Sequence, residues 1–317
     1  MKKNLQIEGL RGCCVLIVVL YHVFCRYAQE YLDGNIPWMQ HWGSFGVTVF
    51  LMISAFFLIP QKTSGGGYRE FVHKIKRLWP SYAVCLTITF IINLLLPLPG
   101  RGGDLRDYLW NLSFLNGYIG TGYIDRAHWY MTTLLSLIVV MCAIKAFGLA
   151  HKAESYLVWS CAVLVLKAVN LDKLANILGG TYVFIACFGF TLAALVHSGT
   201  FIKKDIYHLK WYTVIALELA FTYRYYGLVR IVELMIALVL IIGCLSGRLH
   251  IMEWKPLQFF GAISYTLYLL HQNVAYTIEY YLMQFVGEYY YWMGTVALGL
   301  IIGTAILIEQ LFKKTSN

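Results

Sequence analysis

The stretch Gly9–His22, GLRGCCVLIVVLYH, decides how this chain must fold. It is apolar enough to enter a lipid bilayer, yet it carries Arg11 near its start and His22 eleven residues later. At about 100° per residue, this spacing brings the two side chains to within about 20° of the same helical face, with a rise of about 16 Å between them. One helix would therefore connect a cationic group at the edge of a bilayer to a titratable group deep inside it.

The whole chain has the composition of a membrane protein. Of its 317 residues, 59% are hydrophobic and 13% are charged, whereas soluble domains carry about a quarter charged residues. Apolar runs close to the roughly 20 residues that cross a bilayer recur along the chain. We therefore predict an all-α, polytopic integral membrane helical bundle with about ten transmembrane helices, in a single domain over residues 1–317. The predicted spans are 10–27, 44–60, 79–97, 129–147, 155–169, 178–197, 210–226, 229–247, 258–282 and 291–311.

The distribution of basic residues predicts the orientation. With these spans, most of the 25 lysines and arginines lie on the side that holds the N-terminus. The positive-inside rule then predicts that both termini are cytoplasmic. Topology accounts for much of the net charge of +9, so we expect membrane lipids and no nucleic acid as partners.

The cysteines predict neither a disulfide framework nor a metal site. All eight lie within or at the ends of apolar runs, without ligand-type spacing. They are typical of small buried packing residues, and we predict that the chain holds no metal.

A basic segment precedes the third predicted span. In GGGYREFVHKIKRLWPSY, residues 65–82, the basic side chains include Lys74, Lys76 and Arg77. Such a segment anchors a protein to anionic lipid headgroups, or it binds the phosphates of a small molecule. The sequence leaves both interpretations open.

Two stripes of polar residues are candidate sites. The first is Arg11 with His22, and the second is Ser264, Tyr268 and His271, which are spaced four and three residues apart in the ninth predicted helix and so share one face. The arginine could instead extend to the headgroups, and the first histidine could be a hydrogen-bonded structural residue. The second stripe could line a polar cavity or merely join helices.

Further polar and aromatic groups are candidates for a cavity. Glu218 lies inside the seventh predicted helix, where it would pair with a neighbouring charge or line a water-filled space. Aromatic residues, Trp129 among them, are dense near the predicted outer surface. They form an interfacial belt, or a subset of them offers flat faces to sugar rings.

Five stretches resemble, in order, the landmarks of the membrane-bound acyltransferase 3 family. They are the segment from GLRG to His22, FGVTVFLMISAFFLI (45–59), KIKRLWPSY (74–82), His128-Trp129-Tyr130 and FGAISYTLYLLH (260–271). Two positions depart from the family pattern, because Ala55 replaces the usual glycine of the second stretch and the segment after Trp129 lacks the glutamate that often follows. The second departure leaves the role of the fourth helix open.

The resemblance implies a membrane-embedded O-acyltransferase, most commonly an O-acetyltransferase. Such an enzyme moves an acyl group from cytoplasmic acyl-CoA to a hydroxyl of an extracytoplasmic glycan, such as capsule, exopolysaccharide or O-antigen, or of a lipid-linked saccharide. Acetyl-CoA or another acyl-CoA is then the donor substrate, and no cofactor is tightly bound. The setting implied is a multi-pass protein of the cell membrane, most commonly the bacterial plasma membrane.

The resemblance also implies roles for individual residues. His22 is the catalytic histidine and Arg11 helps to hold the acyl donor, while Arg77, with Lys74 and Lys76, belongs to the donor-binding basic segment. A covalent acyl-histidine intermediate remains an alternative to direct transfer. The residues left for the cavity or for acceptor binding are Trp129, Ser264, Tyr268, His271 and Glu218.

Two other classes of protein fit parts of the sequence. A polytopic transporter or flippase for a glycolipid or a small solute would also use many helices, intramembrane charges and an aromatic outer face. Paired half-repeats, which many transporters contain, are not apparent. A non-enzymatic assembly partner would leave the Arg11/His22 stripe unexplained.

Overall fold

The computed structural model describes residues 4–34, 36–59, 67–197, 206–287 and 290–315, and every regular element in these ranges is a helix. The all-α prediction is therefore confirmed. Short 3-10 turns also occur at Pro37–Met39, Arg126–His128 and His250–Glu253. The helices are α1 (Leu5–Leu20), α2 (Tyr27–Tyr31), α3 (Trp42–Leu58), α4 (Gly67–Leu95), α5 (Leu105–Leu112), α6 (Asn116–Ile119), α7 (Trp129–Ala146), α8 (Ala153–Ala168), α9 (Asp172–Ile177), α10 (Tyr182–His197), α11 (Ile206–Leu245), α12 (Lys255–Ala262), α13 (Ser264–Leu270), α14 (Asn273–Val286) and α15 (Tyr290–Thr315).

Seven helical stretches among the described residues are long and apolar enough to cross a membrane. The predicted count of about ten spans stays a prediction. The two counts differ at three places: α8 has only 16 residues, the ninth predicted span is divided among three helices, and the stretch Lys210–Leu245 contains two predicted spans. The seven stretches are Leu5–Tyr31, Pro37–Leu58, Gly67–Leu95, Arg126–Ala146, Asp172–Val196, Lys210–Leu245 and Tyr290–Phe312.

Helix α11 contains a break where two spans were predicted. Gly227 has φ 77° and ψ −174°, a conformation that residues with a Cβ rarely adopt. It lies between the predicted spans 210–226 and 229–247. The 36-residue stretch Lys210–Leu245 is therefore two helices joined at a glycine.

The ninth predicted span, 258–282, is interrupted by side chains from a distant loop. In an unbroken α-helix the amide of Asn273 would donate to the carbonyl of Leu269. Instead, Leu269 O accepts from His128 Nε2 at 2.9 Å, and the Asn273 amide donates to Asp125 Oδ2 at 2.9 Å. Both backbone groups remain satisfied, so the loop that carries Asp125 and His128 separates α13 from α14.

The basic segment is continuous with the third predicted span. Helix α4 runs from Gly67 to Leu95, with Pro80 inside it, so it contains both the basic residues and the apolar run predicted at 79–97. Residues 65 and 66 lie outside the described ranges. The segment is therefore the first part of a helix rather than a separate approach to one.

The chain divides into two compact units. Unit 1 comprises Met1–Val47, Leu78–Trp129 and Leu240–Asn317, and unit 2 comprises Thr48–Arg77 and Tyr130–Val239. Each unit is discontinuous in sequence, and both draw on α3, α4, α7 and α11. The single-domain assignment stays a prediction.

Glycines set the packing of unit 1 around α1. A Cβ on Gly12 would lie 2.0 Å from the carbonyl oxygen of Leu257 in α12, and one on Gly9 would lie 1.7 Å from that of Met252. From the opposite side, a Cβ on Gly261 would lie 2.1 Å from the carbonyl oxygen of Glu8. Helices α1 and α12 therefore pack backbone to backbone, as small residues permit inside membranes.

Unit 2 packs aromatic side chains between helices and leaves an apolar cavity. The rings of Tyr156 and Trp159 of α8 stack on Phe190 of α10, with centroids 5.5 and 5.6 Å apart. The cavity, of about 830 Å³, lies beside α7 and α8. Its lining includes Lys210 and Glu154, which form an ion pair.

The cysteines are all unpaired thiols, and every one except Cys13 and Cys161 is buried. This arrangement agrees with packing residues in apolar surroundings.

Candidate active site

His22 lies in a π-helical turn within the first membrane span. The turn covers Tyr21–Arg26 and continues α1 into α2, and the amide of Tyr27 donates to the carbonyl of His22. Turns of this kind are frequent at functional sites. The position of His22 is therefore marked by an irregular backbone as well as by its polar side chain.

The tautomer of His22 follows from its hydrogen bond. Its Nδ1 lies 2.8 Å from the carbonyl oxygen of Val18. A carbonyl only accepts, so Nδ1 carries the proton, and in the neutral ring Nε2 carries the lone pair. This hydrogen bond leaves Nε2 as a nitrogen base that the helix orients.

A second histidine packs against His22. The ring of His271 meets that of His22 edge to face, with centroids 4.6 Å apart and an interplanar angle of 83°. His271 Nδ1 donates to the carbonyl of Tyr268 at 2.5 Å. Among the described residues its Nε2 is buried without a hydrogen-bond partner, so this histidine also has an available nitrogen at the site.

Arg11 contacts α13, the helix whose C-terminal end carries His271, which packs against His22. Its Nη2 donates to Ser264 Oγ at 2.9 Å, and its Nη1 lies 3.3 Å from Glu8 Oε2. The two stripes predicted separately thus face each other, with Arg11 against Ser264 and His22 against His271. Because both contacts advance in the same order along α1 and α13, the two helices run in the same direction.

Tyr268 and Trp129 lie at the edge of this site. The Tyr268 hydroxyl donates to the carbonyl of Ala127 at 2.9 Å, and its ring centroid lies 5.1 Å from that of His271. Trp129 is partly buried at the start of α7. The hydroxyl of Tyr268 therefore holds the 126–128 turn in place beside the histidine pair.

Arg101, from a loop, contacts Asn273 two residues beyond His271. Arg101 Nη1 donates to Asn273 Oδ1 at 2.8 Å, and Arg101 also pairs with Glu30. Burial lowers the pKa of Arg101, but the hydrogen bond and charge of Glu30 outweigh it and raise the pKa above its ordinary value. The guanidinium stays charged and lies 4.6 Å from the centroid of the Tyr276 ring.

The basic residues predicted to bind the donor lie in unit 2. Lys74 Nζ is 3.6 Å from Glu70, which also binds Lys145 Nζ at 2.7 Å. Lys76 and Arg77 are exposed on the same helix. The positive charge most accessible to a solute is therefore on Lys76 and Arg77, since Lys74 is paired with a carboxylate.

Glu218 also lies in unit 2, where it is 1% exposed. Its Oε1 accepts a hydrogen bond from Ser160 Oγ at 2.5 Å, and its Oε2 has no hydrogen-bond partner within the described part of the chain. Glu233, the other acidic residue near this region, pairs with Arg230 at 3.0 Å. Glu218 is thus held by a hydroxyl.

Several residues at the site were missed by sequence reasoning. Asp125 and His128 interrupt a helix through contacts that no local pattern reveals, although His128 lies in one of the family-like stretches. Glu279 is buried in α14. Its position within the predicted span 258–282 is a sequence signal for a functional residue, because acidic residues are rare inside membrane spans. Gly9 and Gly12 lie three residues apart in an apolar helix, and small residues at such a spacing are a packing signal.

No group of three or more histidines, cysteines, aspartates or glutamates in the described ranges is arranged to hold a metal ion. In the histidine pair, both Nδ1 atoms donate to backbone carbonyls.

Long apolar helices, with a packed histidine pair and an arginine–serine hydrogen bond between helices, define a multi-pass membrane protein with a polar site among its helices. A sequence model of a family, described as an acyltransferase domain, matches residues 4–311. The chain therefore belongs to the acyltransferase 3 family, as its resemblance predicted, and is a membrane acyltransferase. No curated protein and no solved structure gives a significant match to it.

Proposed function

We propose that this protein is an O-acyltransferase that moves an acetyl group from cytoplasmic acetyl-CoA to a hydroxyl of an extracytoplasmic glycan or lipid-linked saccharide, in a bacterial plasma membrane. Other acyl-CoA donors would use the same chemistry. The observation that carries the proposal is the orientation of His22, whose Nδ1–H is held by Val18 O at 2.8 Å while its ring packs edge to face against that of His271. A neutral imidazole held in this way is a general base.

The reaction requires one proton transfer and one exchange of bonds. Nε2 of His22 removes the proton of the acceptor hydroxyl as its oxygen attacks the thioester carbonyl. The new O–C bond forms, the C–S bond breaks, and the proton passes from the imidazolium to the departing thiolate to give free CoA. An imidazole is suited to both steps because its unperturbed pKa is near neutrality, about 6.5.

Two groups of cations support binding of the donor. Arg11, held by Ser264 and Glu8, lies on the same helix as His22 and is suited to a polar group of the pantetheine arm. The exposed side chains of Lys76 and Arg77 are suited to phosphate oxygens. Acetyl-CoA is thus proposed as a substrate and not as a tightly bound cofactor.

The experiment uses the full chain reconstituted in lipid, labelled acetyl-CoA, and surface polysaccharide from a strain lacking the gene, deacylated with base. We expect the wild-type protein to transfer label to the polysaccharide. His22→Ala should lower kcat by at least about 100-fold, in line with the loss of a general base. His250→Ala, which alters an exposed histidine paired with Glu253, is the matched control and should retain activity.

Two outcomes would contradict the proposal. Substantial transfer by properly inserted His22→Ala protein would remove His22 from the chemistry. Movement of unmodified saccharide into vesicles, without transfer of label by the wild-type protein, would indicate a transporter or flippase instead.

A further inference from the structure

A second buried polar cluster lies beyond His22 in unit 1. We call it the Glu279 cluster, and it consists of Glu279 with Tyr27, Tyr276 and Tyr290. Glu279, Tyr27 and Tyr276 are each 0% exposed. Neither carboxylate oxygen of Glu279, nor the hydroxyl of Tyr27 or of Tyr290, has a hydrogen-bond partner in the part of the chain that the structure describes.

The four residues of the Glu279 cluster come from three helices but lie together. Glu279 follows Tyr276 by three residues in α14 and therefore lies on the same helical face, and Tyr290 packs against the buried cluster that contains Tyr27 and Tyr276. The rings of Tyr27 and Tyr276 meet with centroids 5.4 Å apart. Carboxylate and hydroxyl groups of helices α2, α14 and α15 therefore share one buried region.

The Glu279 cluster is joined to the catalytic residue through the backbone. The amide of Tyr27 donates to the carbonyl of His22 across the π-helical turn. On the other helix, Tyr276 and Glu279 follow His271 by five and eight residues. A molecule held by the Glu279 cluster would therefore lie about one to two helical turns from the histidine pair.

Burial of these groups is costly without a partner. A buried hydroxyl without a partner destabilises the fold, and a buried carboxylate without a partner destabilises it more. The carboxylate offers acceptors, and the phenol groups offer both donors and acceptors. The complementary partner is a molecule with several hydroxyl groups, since each hydroxyl donates to the carboxylate and accepts from a phenol.

We infer that the Glu279 cluster is the subsite that binds the acceptor glycan through hydroxyl groups next to the one that is acylated. Two adjacent hydroxyls of a sugar ring would donate to the two oxygens of Glu279, and Tyr27 and Tyr290 would donate to ring substituents. The inference rests on the proposed function, because it gives the acceptor of that reaction its binding residues.

Access to the subsite is controlled by partly buried tyrosines. Tyr31, Tyr280 and Tyr290 pack against the buried rings, and Tyr31 reaches the surface, where its hydroxyl donates to the carbonyl of Pro99 at 3.1 Å. Rotation of one of these side chains would open the subsite without unfolding a helix.

The test measures both substrates of the same reaction. The reconstituted full chain is assayed with acetyl-CoA and with base-deacylated surface polysaccharide from the deletion strain. Glu279→Gln is nearly isosteric and keeps one acceptor oxygen. We expect it to raise the KM for the polysaccharide about tenfold or more and to leave the KM for acetyl-CoA unchanged. Tyr27→Phe and Tyr290→Phe should act in the same direction with smaller effects.

Tyr281→Phe is the matched control. It removes a phenol from the same helix, α14, but one whose hydroxyl already donates to the carbonyl of Pro97 at 3.2 Å. We expect its KM for the polysaccharide to equal that of the wild type. Should Glu279→Gln fail to insert in the membrane, the two phenylalanine variants test the same subsite.

The outcomes separate this inference from the proposed function. If the wild type transfers label and the variants of the Glu279 cluster keep a normal KM for the polysaccharide, the cluster holds only structural water and the inference is wrong. An equal rise in the KM for both substrates would also overturn it. If the wild type transfers no label, the proposed function fails and the inference falls with it.

Discussion

The hydroxyl of Ser264 accepts a hydrogen bond from Arg11 Nη2 at 2.9 Å and so fixes the position of the guanidinium. Hydrogen bonds to charged groups contribute about 1.5–3 kcal/mol. Ser264→Ala should therefore raise the KM for acetyl-CoA about tenfold if Arg11 binds the donor. Ser246→Ala, which removes an exposed hydroxyl bonded to Gly243 O, should leave this KM unchanged.

The same pair can be tested by a double-mutant cycle. In an Arg11→Ala background, Ser264→Ala should add little, because the partner of the hydroxyl is already gone. Additive effects of the two changes on the KM for acetyl-CoA would show that the serine acts independently of the arginine.

Arg77 is predicted to recognise the phosphates of the donor. Arg77→Ala should lower kcat/KM for acetyl-CoA about tenfold, as expected when a charge-assisted hydrogen bond is lost. It should have no effect on S-acetylpantetheine, a truncated donor that lacks the nucleotide phosphates. Equal losses with both donors would place Arg77 elsewhere in the reaction or in the packing of α4.

At the level of residues, the sequence revealed the spacing within each stripe but not the contacts between stripes. Helical geometry alone aligns Arg11 with His22, since they are eleven residues apart on one helix. Their partners are about 250 residues away in the chain, and no local pattern specifies which helix will pack there. The Glu279 cluster, assembled from three helices, was unpredictable for the same reason.

Among the helices, α1 and α12 depend on glycine for their close contact. Gly12→Ala would place a Cβ 2.0 Å from a backbone carbonyl oxygen, so the helices must move apart. We expect a loss of about 1–3 kcal/mol in the free energy of unfolding, as in other overpacked interiors. A lower Tm of the detergent-solubilised protein would measure it.

Gly303→Ala is the matched control for this change. A Cβ at Gly303 would meet no atom within 4 Å, and alanine favours a helix over glycine by about 0.5–1 kcal/mol. The Tm should stay the same or rise. An equal decrease in both variants would show that the contact between α1 and α12 is not the cause.

Helix boundaries show which elements the sequence could predict. The junction near Gly227 lay between two apolar runs, and the structure has its break there. The break between α13 and α14 had no such signal, because it is produced by Asp125 and His128 from another part of the chain. A hydropathy pattern detects an apolar run but not a side chain that interrupts it from outside.

For the whole molecule, the number of spans depends on α8. Its 16 residues extend about 24 Å, which is less than the roughly 30 Å hydrocarbon core. If α8 crosses the membrane with both termini cytoplasmic, its start faces the cytoplasm and its end faces outward. Composition alone predicted the helical class, whereas the count depends on such borderline helices.

Cysteine labelling would determine whether α8 crosses. In a background with the eight natural cysteines replaced and transfer activity retained, Lys152→Cys and Lys173→Cys place thiols at exposed positions beyond the two ends of α8. A membrane-impermeant maleimide should label Lys173→Cys in intact cells and Lys152→Cys only after permeabilisation. Labelling of both from one side would contradict a transmembrane α8.

The π-helical turn at Tyr21–Arg26 divides the first span into two halves whose side chains point to different partners. On one side of the turn, the helix directs Arg11 toward Ser264; on the other, it directs Tyr27 toward Tyr276. A deletion of one residue inside the turn is absorbed, because the π-turn then closes as an α-turn. A deletion between Arg11 and Leu20 is not, and it would rotate Arg11 against Tyr27 by about 100°. The proposed donor and acceptor sites would then face different sides of the same helix.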